Sequence, residues 1–171
     1  EWLALKARKM ANHGRISKYN HESVGRCSRM DTMQAAILLL KLTHLEDWTK
    51  RRRMLADRYR TALSGSDQII LPREYPDSIP VYHLFVIRVD KDIREDLQQH
   101  LTQAGIQTGI HYPLALSRLP VTTDQLGIRV HCPEAELASQ EVLSLPLYPE
   151  LSADQQDYIC ETIIQYFKTL H

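Results

Sequence analysis

Apolar residues recur along this chain in two spacings, one helical and one extended, and a shift in composition follows Gly65. Residues 2–11 read as the end of a helix. From Thr32 the pattern is helical again, with Met33, Ala36, Ile37, Leu40 and His44 on one face. Leu38, Leu39 and Leu42 make its first turns apolar nearly all round. A helix apolar on every side is buried on every side, so this segment is expected to pack against another domain or subunit as well as its own core. From Glu46 the helix, or its successor, turns amphipathic, with Trp48, Leu55, Tyr59 and Ala62 inward and Gly65 as C-terminal cap.

Residues 65–81 hold three prolines and the run Ile69-Ile70-Leu71, and they form the best hinge. Beyond it, Tyr82 to Val89 predicts a strand. A helix with Ile93, Leu97, Leu101 and Ala104 inward follows, stopped by Gly105. Ile106 to Ile110 predicts a second strand running into His111-Tyr112-Pro113. Pro133 opens a helix to about Leu143, and Leu145-Pro146-Leu147-Tyr148-Pro149 must be extended or an edge strand. Ser152 and Gln155 spell a capping box for a last helix carrying Ile159, Ile163, Tyr166 and Leu170. The alternation predicts a two-layer α/β domain over residues 65–171, a small mixed or antiparallel sheet with helices on one face. Residues 1–64, a loop and a long interdomain helix, precede it.

Charge and cysteine content narrow the function. Lysine plus arginine number 21, as do aspartate plus glutamate, so no net charge steers polyanions to the chain and a nucleic-acid role is not expected. The run Lys50-Arg51-Arg52-Arg53 has acids four residues away (Glu46 to Lys50, Asp47 to Arg51, Arg53 to Asp57), which reads as a solvated helix face. The three cysteines lack CxxC spacing and are odd in number, which favours a reducing cytoplasm and argues against a zinc site. The longest apolar run is far too short for a bilayer. The chain begins at Glu1 inside a helical pattern and reads as a piece of something longer.

Two segments carry candidate chemistry. Asn12 to Gln34 is polar and cation-rich, with glycines at 14 and 25, and closes with Asp31 as a helix cap and Gln34 to complete a capping box. Arg8, Lys9, Arg15, Lys18, Arg26 and Arg29 make an anionic ligand its natural guest, although a solvated surface loop explains the same composition. His111-Tyr112-Pro113, preceded by Gly109, can present two side chains to a cleft from a strand end, or simply pack on a strand tip. His83, inside an apolar strand, reads as a core histidine. Glycine-rich phosphate loops, nucleophile elbows and zinc motifs are absent from the sequence.

These residues in this order resemble the C-terminal part of the DegT/DnrJ/StrS nucleotide-sugar aminotransferases. The likeness runs through Asn12-His13-Gly14, Lys18-Tyr19, Gly25, Ser28-Arg29-Met30-Asp31 and Gln34-Ala35-Ala36-Ile37. It continues through Arg51-Arg52-Arg53, His83 to Arg88, Gly105-Ile106, Gly109 to Pro113 and Leu143 to Pro149. The resemblance implies a fold-type-I, homodimeric enzyme that uses pyridoxal 5′-phosphate (PLP) to move an amino group, commonly from glutamate, to a nucleoside-diphosphate keto-sugar.

It also implies which residues matter. The family's Schiff-base lysine lies in a large domain N-terminal to these residues. None of Lys6, Lys9, Lys18, Lys41, Lys50, Lys91 or Lys168 has a matching context, so this chain holds no catalytic residue and should not transaminate alone. The loop matching residues 15–29 crosses the family's dimer toward the partner's cofactor phosphate. Its asparagine aligns with Cys27, a weak replacement for an amide donor, with Ser28, a backbone N–H or Arg29 to take over. Lys18, Tyr19, His21, His111 and Tyr112 match positions on the substrate side. A non-enzymatic dimerisation or regulatory module derived from the family is the alternative.

Overall fold

The computed structural model describes residues 1–170, which divide into two compact units, Glu1–Glu46 and Asp47 onward. In the first, α1 (Trp2–Ala11) and α2 (Thr32–Leu42) flank the polar loop. Asp31 caps α2 by accepting the Gln34 amide at 2.8 Å, the forward half of the box. Neither helix buries a residue within the chain, and Leu39 and Leu40 are each about two-thirds exposed.

Helix α3 (Leu45–Leu63) follows a break at Thr43–His44 and carries the chain into the second unit. Its inner face is Leu55, Ala56, Tyr59 and Leu63; Ala62, expected inward, is exposed because Leu63 takes its place. Tyr59 stacks on Phe85 with centroids 5.0 Å apart and donates its hydroxyl to the Pro146 carbonyl at 2.9 Å. The basic run does not form the expected pairs at Arg51 and Arg53. Arg51 donates to the Pro149 carbonyl at 3.0 Å and Arg53 to the Pro80 carbonyl at 2.8 Å, so α3 clasps two proline-rich segments.

The predicted strand at 82–89 shortens to β1 (Phe85–Arg88). Tyr82 sits at φ +51, where a ladder cannot continue, and its hydroxyl is locked between Glu74 and Arg60. The Arg60 hydrogen bond holds Glu74 below the usual carboxylate range. His83, just before the strand, is exposed and not a core histidine. Helix α4 (Lys91–Gln103) ends at Gly105, φ +77, with the Ile106 amide returning to the Leu101 carbonyl at 2.8 Å.

Helix α5 (Pro133–Glu141) stops two residues before Leu143, because Val142 already opens β2 (Val142–Leu145). The strand thus ends before Pro146 instead of running through the prolines. β1 and β2 pair antiparallel, Phe85 with Leu145 and Ile87 with Leu143. The predicted strand at 106–110 contracts to a single pair, Gly109 with Ser144, on the outer edge of β2; Ile70 pairs singly with Arg88 outside β1. Phe85, Ile87, Leu143 and Leu145 turn to the core. There α6 (Ala153–Thr169) buries Ile159, Ile163, Tyr166 and Phe167 under a complete Ser152–Gln155 capping box. Leu170, expected on that face, is exposed.

Candidate functional site

The loop between α1 and α2 is a short ribbon, not an open coil. Asn12 pairs with Cys27 and Arg15 with His21. The first pair is bounded by the His13 amide on the Arg26 carbonyl, 3.2 Å, and the Ser28 amide on the Ala11 carbonyl, 2.9 Å. Glycine is required at both Gly14 and Gly25. Gly14 lies at φ +70 with the Ser23 carbonyl oxygen 1.6 Å from where a β-carbon would sit. Lys9 on α1 holds the far strand through Glu22 at 2.5 Å.

The ribbon sorts the candidate residues into two groups. Lys18 and Tyr19 form its tip, the ammonium 5.2 Å from the ring centroid and the ring 83% exposed. His21 is pinned near the tip, its Nδ1 2.9 Å from the His13 carbonyl. Cys27, Ser28 and Arg29 form the base, all exposed. The Ser28 backbone N–H is already spent on Ala11, so it is not a free donor. Cys27 belongs to a non-hydrogen-bonded pair, whose amides point away from the partner strand. The base therefore offers an outward Cys27 N–H, the Ser28 hydroxyl and the Arg29 guanidinium, the last 4.0 Å from the Cys27 sulfur.

In the second unit, His111 lies flat on Gly109: a β-carbon there would stand 2.6 Å from the ring's Cε1. Its Nδ1 meets the Ser144 hydroxyl at 2.9 Å. Tyr112, 73% exposed, sets its ring edge-on to the imidazole at 5.6 Å. Both aromatic candidates thus come together on the sheet face opposite the core. Ser144 has no role in the sequence reading. The signal was present: one polar residue between Leu143 and Leu145 must point to the opposite face of a strand.

Comparison with known proteins adds an independent observation. The profile of the DegT/DnrJ/EryC1/StrS aminotransferase family matches residues 1–164. The erythromycin biosynthesis sensory transduction protein EryC1 of Saccharopolyspora erythraea is 43% identical over 162 residues, covering 94% of this chain and 43% of the relative. A dTDP-3-amino-3,4,6-trideoxy-alpha-D-glucose transaminase of Streptomyces venezuelae is 38% identical, covering 96% and 43%. Among solved structures, NtdA from Bacillus subtilis with bound cofactor PMP superposes with a TM-score of 0.85 at 33% identity, covering 98% of this chain and 40% of its own. The chain spans less than half the length of the relatives it matches.

Proposed function

The chain belongs to the DegT/DnrJ/EryC1/StrS aminotransferase family, and from that premise we propose that it is the C-terminal part of a PLP-dependent sugar aminotransferase. The parent enzyme moves an amino group from glutamate to a keto-sugar carried on a nucleoside diphosphate. The observation that carries this reading is the family match over residues 1–164, in a chain whose loop is built rather than loose. Its three free cysteines fit a reducing cytoplasm.

The donor set at the ribbon base fits the cofactor's phosphate: a guanidinium, a hydroxyl and an outward amide, with no acid among the three. When bound, PLP supplies an electron sink that lets an amino group pass between carbon skeletons. Arg29, Ser28 and the Cys27 amide hold its phosphate, in the partner subunit of a homodimer. At the tip, Lys18 neutralises charge on the substrate diphosphate and the exposed Tyr19 ring offers a stacking face. His21 stiffens the tip by its bond to the His13 carbonyl. His111 and Tyr112 are further contacts for the sugar nucleotide.

The chain lacks the family's lysine and does not turn over alone. Titrating PLP into the parent protein should produce a visible absorbance band that the 171-residue chain does not give. A parent protein without that band would overturn the enzymatic reading and leave a dimerisation or regulatory module.

A further inference from the structure

Ser144 is 4% exposed, and both of its backbone groups are engaged with Gly109, at 3.1 and 2.7 Å. Its hydroxyl has one partner among the described residues, His111 Nδ1 at 2.9 Å. A buried hydroxyl proton is costly to leave unpaired, whereas an unused oxygen lone pair is tolerated. The Ser144 O–H therefore donates and Nδ1 accepts with its lone pair. The ring proton then sits on Nε2, which has no hydrogen-bond partner among the described residues, on a residue that is exposed as a whole.

Gly109 makes this geometry available. The imidazole rests directly on its Cα, with a virtual β-carbon 2.6, 3.3 and 3.5 Å from Cε1, Nδ1 and Nε2. Tyr112 closes one side at 5.6 Å. Glycine beneath, serine at Nδ1 and tyrosine at the edge leave the ring one free hydrogen-bonding atom.

We propose that Ser144 is a positioning residue that fixes His111 in the tautomer with its proton on Nε2, so that His111 donates a hydrogen bond to an oxygen acceptor of the bound nucleotide sugar. The assignment of the ligand rests on the aminotransferase reading; the tautomer does not.

Two measurements on the parent protein separate these parts. The first is the ring-nitrogen spectrum of the 15N-histidine-labelled protein, with the His111 signals identified by their loss in His111→Asn. Nδ1 should resonate as an unprotonated nitrogen and Nε2 as a protonated one, with that pattern blurred in Ser144→Ala and restored in Ser144→Thr. A protonated Nδ1, or a spectrum unchanged in Ser144→Ala, overturns the pairing. The second is calorimetric binding of dTDP-glucose and UDP-N-acetylglucosamine as stable probes. Ser144→Ala should weaken binding about tenfold and Ser144→Thr should restore it, while Ser144→Ala should add nothing in a His111→Asn background. Additive losses would make Ser144 merely structural and overturn the positioning role. If neither probe binds the unmodified protein, the nucleotide-sugar assignment fails and the spectrum alone decides the pairing.

Discussion

Gly25 stands so close to Gly14 that a β-carbon on it would lie 2.2 Å from the Gly14 amide nitrogen. The two ends of the ribbon between α1 and α2 touch through these residues, which is why a segment with little buried surface has one shape. Any side chain at either position must push backbone apart.

Gly14→Ala should open the ribbon without unfolding the second unit. The substitution meets both a positive φ of +70 and a carbonyl oxygen 1.6 Å away, a local cost of about 1–3 kcal/mol or more. Hydrogen exchange should report it as about tenfold or greater loss of protection at the Arg26 and Ser28 amides, which donate to Met10 and Ala11. Unchanged protection would show that the glycine contact does not hold the ribbon.

Arg29→Gln tests the ribbon base. Arg29 is exposed and stabilises nothing in the core, so the parent protein should fold as before. Loss of a charged hydrogen bond to phosphate should weaken PLP binding by about 10- to 100-fold. Equal PLP affinity in a cofactor titration would remove Arg29 from the phosphate site.

Tyr59→Phe addresses the core. The side chain is fully buried and its hydroxyl is committed to the Pro146 carbonyl at 2.9 Å. Removing it should destabilise the second unit by about 1–2 kcal/mol, read as a lower urea midpoint with an unchanged slope.

Alkali should destabilise this unit. Burial pushes the Cys160 thiol up to about 11 from 9.0. Burial, with the Glu74 hydrogen bond, pushes Tyr82 up to about 12 from 10.0. Burial and Asp96 do the same to Tyr166, up to about 12; burial, with smaller contributions from Cys160 and Tyr148, raises Tyr59 further. The unfolded chain releases these protons first, so it binds fewer than the folded chain and stability falls with rising pH. The contribution is fully present below 9.0 and is lost as pH climbs through 11 to 12. Urea midpoints should be level from about pH 7 to 8 and drop steeply by about pH 11; a flat profile would contradict the burial of these groups.

Helices were the legible part of this sequence, because caps and spacing act locally. Asp31, Ser152 with Gln155, and Gly105 each stand at the helix end that their chemistry indicates. Strands were harder, because pairing is decided elsewhere. The run 106–110 has strand composition, yet Gly109 alone pairs, the His111 ring lying against its Cα. Arg51 and Arg53 looked like surface charges pairing along their own helix; their partners are the carbonyls of Pro149 and Pro80, 98 and 27 residues away. His111 and Tyr112 were visible as candidates, whereas Ser144 emerged only when the fold brought it to Nδ1 from 33 residues downstream.

The most direct test of the proposed activity is amino transfer by the purified parent protein with PLP and glutamate, using a panel of dTDP- and UDP-linked keto-sugars. The expected result is an amino sugar formed in step with 2-oxoglutarate, and none from the 171-residue chain under the same conditions. A parent protein that binds PLP yet aminates no nucleotide sugar would contradict the substrate assignment, and turnover by this chain alone would contradict the missing lysine.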